Sequence, residues 1–283
     1  MGETITCKNC SNHFSGKFCN ICGEKVYSEK DKSVKHFFEE IFHFITHFDS
    51  KFFKTLLLIF KKPGTLSLLY CNGIRSRFFK PTSLFLIGIV IYLLFPVFQG
   101  LNLSFRGNIT NFDHQYMHFI SSLAEQKAAA KQISMAQLGE KYDHLSPKFA
   151  KVLLLILLPL TGLALQLLFR KKRGYYFDHL VLATEANNMY LYFTFFIMPL
   201  LLYIPAFFAR IFNFSSVRIF TDTITIPLYL IVLLVWSAVA FKTFYKIKTS
   251  RALLKGLLFL LLHSIILYII YRVILFLIVL LFI

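Results

Sequence analysis

The chain has 283 residues, of which 57 % are hydrophobic and 16 % charged, and its formal net charge is +17. A soluble domain carries about 25 % charged residues, and so small a charged fraction cannot cover so apolar a chain. The composition excludes a disordered chain, a fibrous repeat and a disulfide-rich secreted scaffold, and leaves an all-α polytopic membrane protein.

The first motif in the chain is the strongest. Cys7 and Cys10 are followed by Cys19 and Cys22, a C-x2-C-x8-C-x2-C spacing. Two-residue gaps let both thiolates of a knuckle face one ion, and two knuckles complete a tetrahedron of four sulfurs. The expectation is a cytoplasmic zinc ribbon over residues 1–27 with one structural zinc per chain. Four sulfur ligands leave no open position for water or substrate. A ribbon this short buries no core, so the metal supplies its folding energy. Cys71 stands apart from these four and receives no role.

Residues 33–81 form the second region. From Ser33 to Phe60 the apolar pattern has helical period, and Pro63-Gly64 ends it. One side is aromatic and the other carries Lys, Glu and His, the design of a helix lying in the membrane interface. His36, Glu40, His43 and His47 follow one edge at i, i+4, i+7 and i+11. They are either interfacial polar residues or ligands to a second metal. Asp49 falls on the aromatic side, where a carboxylate requires a partner. Beyond the helix, Arg75, Arg77 and Lys80 precede the first apolar run. They serve as a positive-inside anchor or as contacts to phosphate and anionic lipid headgroups.

Residues 82–283 make the transmembrane domain. A span needs about 20 mostly apolar residues, and five runs come close: 82–99, 152–169, 189–209, 224–241 and 252–283. The last contains Arg272 and reads as one long helix, tilted or broken. The loop 100–151 is the one sizeable piece on the far side, and its middle, 121–139, reads as a polar helix. Lys and Arg number 22 on one side of this five-span arrangement and 8 on the other. The positive-inside rule then puts the N-terminus in the cytoplasm and the C-terminus outside it. His179 and Glu185 belong to the cytoplasmic half, where a helix along the interface brings His43 and His47 toward His179. Asp49 or Glu185 supplies the carboxylate of that cluster.

Several blocks in order resemble a family of bacterial membrane proteins, mostly from Bacteroidota, known as the family of unknown function numbered 3667. They are Cys19-Asn20-Ile21-Cys22-Gly23-Glu24, then Glu40-Ile41-Phe42-His43 with His47-Phe48-Asp49, then Pro63-Gly64. The block from Tyr70 to Pro81 and the block from Tyr175 to Val181 follow. The family pattern has a second histidine six residues after the one matched by His179, where this chain has Glu185. The resemblance implies an N-terminal zinc ribbon joined to a polytopic membrane region in the bacterial inner membrane, and it implies no activity.

The sequence favours a non-enzymatic scaffold, sensor or accessory factor, with the lipid bilayer and a protein partner of the ribbon as its contacts. The alternative is a membrane-embedded metal-dependent enzyme acting on a lipid or membrane substrate at the cluster of His43, His47, Asp49, His179 and Glu185. Nucleic acid is not expected as a partner, because no base-reading module accompanies the basic charge.

Overall fold

The computed structural model describes residues 4–7, 9–16, 18–22, 51–94, 104–110, 114–201 and 222–283. Residues Met1–Lys51 and Phe52–Ile283 form two compact units. In the first, β1 (Ile5–Thr6) and β2 (His13–Phe14) pair antiparallel, Ile5 opposite Phe14 and Thr6 opposite His13. Its buried core is Cys7, Phe14 and Cys19, with Ile5 against them.

The second unit is helical throughout its described residues. Residues 51–61 form α1, which stops ahead of Pro63-Gly64. There follow α2 (Thr65–Cys71), α3 (Pro81–Leu94), α4 (Phe105–Thr110), α5 (His114–Ala130), α6 (Met135–Leu153) and α7 (Leu157–Leu168). Then come α8 (Tyr176–Tyr192), α9 (Asp222–Tyr245), α10 (Thr249–Ile265) and α11 (Tyr271–Phe282). A 3-10 turn, Leu154–Ile156, joins α6 to α7, and a π turn, Ile266–Ile270, joins α10 to α11 without a break. Among the described residues three helices are long and apolar enough to cross a membrane: Met135–Leu168, Ile226–Tyr245 and Thr249–Phe282. The apolar helix at the first expected span is shorter, Pro81–Tyr92. The far ends of the runs 82–99 and 189–209 lie outside the described residues.

Two of these helices are longer than a bilayer requires. Each has 34 residues, about 51 Å at 1.5 Å per residue, against a hydrocarbon core of about 30 Å. Charge marks where the apolar part of each ends. Lys151 to Leu168 and Lys255 to Arg272 each cover about 26 Å of helix. The two far ends are level, because Tyr271 Oη donates to the Ala150 carbonyl at 2.7 Å. Beyond that level α4, α5, the first half of α6 and α11 share a core that includes Phe105, Ile120, Leu138, Tyr142 and Phe276. Every fourth residue of α6 from Leu138 to Ala150 is buried. The single polar helix expected over 121–139 is two helices. The chain leaves α5 at Ala130, turns through Gln132 at φ 55° and restarts at Ser134. Ser134 and Gln137 form a reciprocal capping box, which satisfies two donors at the new helix start.

α8 is the central helix. All residues from 181 to 189 are buried, among them Thr184, Glu185, Asn187 and Asn188. A helix buried on every face normally reads as apolar throughout, and these four residues explain why hydropathy places the third run no earlier than 189. The helix begins at Tyr176 instead, and a π turn, Phe193–Ile197, continues it.

Gly64, between α1 and α2, has φ 77° and lies against α9: a Cβ there would stand 2.5 Å from the Ala240 carbonyl oxygen. Gly73 has φ 89° with nothing within 4 Å of such a Cβ. A left-handed conformation costs a residue with a Cβ about 1–2 kcal/mol. Gly73→Ala is expected to lose about that much stability, and Gly64→Ala distinctly more because the backbone of α9 cannot yield. Thermal unfolding in detergent measures both, and equal losses would contradict the close packing of α2 on α9.

Candidate functional site

The ribbon brings its four cysteines to one point. β1 ends at Thr6, and the chain turns with Cys7 N–H donating to the Asn12 carbonyl at 2.8 Å and Ser11 N–H to the Cys7 carbonyl at 2.9 Å. Ser11 takes φ 60° to close this knuckle. The Sγ atoms of Cys7 and Cys22 are 3.5 Å apart, and those of Cys10 and Cys19 are 3.6 Å apart. All four lie within 4.8 Å of one another, and all are free thiols. Metal–sulfur bonds of about 2.3 Å place tetrahedral ligands about 3.8 Å apart, so the four sulfurs fit a divalent ion with little adjustment. Backbone N–H groups of Cys22 and Ile21 point at Cys19 and pull its thiol down to about 6 against the cost of burial. That favours the thiolate a metal needs. Asn12 Nδ2 donates to Asn20 Oδ1 at 2.8 Å and bridges the two knuckles. No other group of three or more His, Cys, Asp or Glu comes together in this way among the described residues.

The second concentration of polar chemistry runs along α8. His179, buried, has its Nδ1 2.8 Å from Tyr245 Oη at the end of α9, and Tyr245 stacks on Phe169 with ring centroids 3.8 Å apart. Just before it, Asp178 pairs with Arg173 at 3.3 Å. Arg173 in turn lies over the Phe244 ring at 4.4 Å. Cys71, at the end of α2, faces Asp178; burial and the carboxylate push its thiol up to about 12. It is therefore a poor nucleophile.

Glu185 is wholly buried. Its two carboxylate oxygens accept from Gly64 N–H and Ser67 N–H, each at 2.8 Å, and Ser67 Oγ donates to the second. Further along, Asn188 Nδ2 donates to the Pro81 carbonyl at 2.8 Å, and Tyr192 Oη donates to the Leu84 carbonyl at 2.9 Å. Asn187 Oδ1 lies 3.5 Å from His263 Nε2 on α10, and Thr194 Oγ1 lies 2.9 Å from Tyr229 Oη on α9. One helix thus holds α2, α3, α9 and α10 through side chains that hydropathy alone discards.

The sequence-derived sites divide accordingly. Cys7, Cys10, Cys19 and Cys22 come together. His43, His47 and Asp49 lie outside the described residues. His179 and Glu185 are engaged separately, the first with Tyr245 and the second with α2. Arg75, Arg77 and Lys80 are exposed. Arg75 lies 4.9 Å over the Tyr70 ring and 5.8 Å over that of Phe177, and its Nε donates to the Tyr70 carbonyl at 3.3 Å. Sequence reasoning missed Ser67, Asn188, Tyr245 and Trp236. The last donates its indole N–H to the Ile59 carbonyl at 2.9 Å and so reports on the docking of α1.

Glu185→Gln retains the shape but turns an amide NH2 toward one of the two backbone N–H donors and removes the charge from the other. Each hydrogen bond to a charged group contributes about 1.5–3 kcal/mol, so the substitution is expected to lower stability by at least that much. Ser67→Ala is expected to cost less, and the two together less than their sum, since they remove a shared interaction. A double-mutant cycle followed by the fluorescence of Trp236, the only tryptophan, measures the coupling. Strict additivity would show that Glu185 does not hold α2.

No curated protein and no solved structure matches the chain. Residues 49–93, which hold α1, α2, the segment after it and most of α3, match a family described as protein of unknown function, DUF3667, and the resemblance drawn from the motifs is to that family.

Proposed function

We propose that this is an integral protein of the bacterial cytoplasmic membrane that acts as a scaffold, sensor or accessory factor, not as an enzyme. It carries a structural zinc in a cytoplasmic ribbon. The observation that carries the reading is the closed set of four sulfurs. Zinc suits four cysteine ligands, and a complete ligand set leaves no position for a substrate. The engagement of His179 and Glu185 in packing supports the same view, because it takes two of the five residues away from a cluster able to act on a membrane substrate.

The membrane part crosses five times in this reading, with α7, α9 and α10–α11 joined by the apolar runs that include α3 and the second half of α8. The Lys and Arg distribution supports a cytoplasmic N-terminus and an extracytoplasmic C-terminus. The ribbon then offers a surface to a protein partner, and Arg75, Arg77 and Lys80 meet anionic lipid headgroups.

One zinc per chain is expected by elemental analysis of the purified protein, and none in Cys10→Ser/Cys22→Ser, which still inserts into the membrane. Undiminished zinc in that variant would overturn the ribbon assignment. A second ion, lost with His43 or His47, would favour the metalloenzyme instead. Orientation is tested separately on a background without other reactive cysteines. Ala129→Cys is expected to react with an impermeant reagent outside intact cells and Lys172→Cys not to. The reverse result would invert the topology.

A further inference from the structure

The depth at which α3 begins has a consequence for the lipid around it. At the cytoplasmic end of the membrane unit, charged groups share one level: Arg173 pairs with Asp178 at 3.3 Å, and its other guanidinium nitrogen donates to the Phe244 carbonyl at 3.4 Å. α8 runs inward from this level. Asn188, whose Nδ2 holds the Pro81 carbonyl, is ten residues past Asp178, about 15 Å along the helix. A second ruler agrees. Asn187 is beside His263, which is eight residues past Lys255, about 12 Å. The first residue of α3 therefore stands near the middle of the roughly 26 Å crossing, and α2 ends near its edge, where Cys71 faces Asp178.

The connection between these two depths is residues 72–80. It is outside any helix from 74 to 80, and Arg75, Arg77 and Lys80 in it are exposed. No carboxylate pairs with these three cations among the described residues. Irregular backbone at hydrocarbon depth is tolerated only where protein buries it or water reaches it, and the exposed residues 74–77 and Lys80 are not buried. A second observation points the same way. Beside this segment Asn188 is wholly buried, and its Oδ1 has no partner among the described residues. Apolar side chains flank the cations: Ile74 is 45 % exposed, and Phe177, under Arg75, is 46 % exposed.

We propose that this flank is a water-filled notch in the cytoplasmic leaflet, and that it draws the phosphate of an anionic phospholipid below the level of the surrounding headgroups. Arg77 and Lys80 hold the phosphate, and Arg75, fixed over Tyr70 and Phe177, sets the outer edge. The apolar rim selects an amphiphile over a free anion, because it accepts acyl chains where a soluble phosphate would gain nothing. The proposal rests on α7, α9 and α10–α11 crossing the bilayer as read above; the labelling and zinc measurements test that reading on their own, so a failure here leaves it standing.

The test uses the full chain in vesicles of phosphatidylcholine and phosphatidylglycerol. Hydrogen exchange read by mass spectrometry is expected to show the amides of 74–80 exchanging as fast as those of 170–175. Protection equal to that of residues 257–265 in α10 would overturn the notch. Native mass spectrometry of the protein released from the same vesicles then counts retained phosphatidylglycerol. Arg77→Gln/Lys80→Gln is expected to weaken retention on the order of five-fold per cation removed. Lys242→Gln/Lys248→Gln, with the same charge change, is expected to leave it near wild type. Equal loss in both variants, or none in the first, would overturn the site. Displacement of the lipid by added inorganic phosphate would overturn the choice of a lipid over a free anion. Unchanged Trp236 fluorescence establishes that the variants remain folded.

Discussion

The arrangement of the membrane unit depends on one contact, the carboxylate of Glu185 at the start of α2. A buried carboxylate is costly unless hydrogen bonds and opposite charge compensate it, and among the described residues no cation touches this one. A buried helix start is also costly, since its first N–H groups have no partner within the helix. Each problem solves the other. Gly64 and Ser67 direct their N–H groups into the carboxylate, and the positive end of the helix dipole adds to them. Gly64 reaches this position only with its left-handed backbone, and its lack of a side chain allows α9 to approach on the other side.

Fixing α2 fixes what is joined to it. α1 arrives through a turn of three residues, and its own carbonyl at Ile59 is held by Trp236. After α2 the chain must reach Pro81, whose carbonyl is held by Asn188 one helical turn beyond Glu185. The irregular segment 72–80 is the price of that geometry: α2 runs back toward the charged edge while α3 must start deep. Residues 49–93, the stretch shared with the family, are the ones these contacts organise.

Much of this was legible in the sequence, and the reasons for the remainder are specific. The cysteine spacing placed four sulfurs together because a metal knuckle is a local structure. Pro63-Gly64 marked the end of α1 because both residues act through their own backbone. Hydropathy found α7, α9 and α10–α11, whose exposed sides are apolar. It missed the first half of α8, because residues such as Asn187 and Asn188 look like a loop until another helix supplies their partners. It also missed the break between α5 and α6, although Ser134 and Gln137 have the spacing of a capping box. The pairing of Glu185 with α2 and of His179 with Tyr245 joins residues far apart in the chain, and no local pattern contains it.

Ionisable and strongly polar residues inside a membrane are functional candidates by default, and α8 with its neighbours holds many. Packing between helices gives them a structural role. Apolar helices gain nothing by meeting in lipid, since lipid tails are as apolar as leucine, so close packing and hydrogen bonds between helices must hold them together. His179, Glu185, Asn188, Tyr192 and Thr194 each meet a different position on α2, α3 or α9, and His263 meets Asn187 from α10. Along this row both oxygens of Glu185 and the hydroxyls of Tyr192 and Thr194 make their hydrogen bonds between helices, while Asn187 Nδ2 turns back to the Ala183 carbonyl of its own helix. The polar side chains of α8 thus join the helices of the membrane unit, and Asn188 Oδ1, which has no partner among the described residues, lies beside the exposed basic segment.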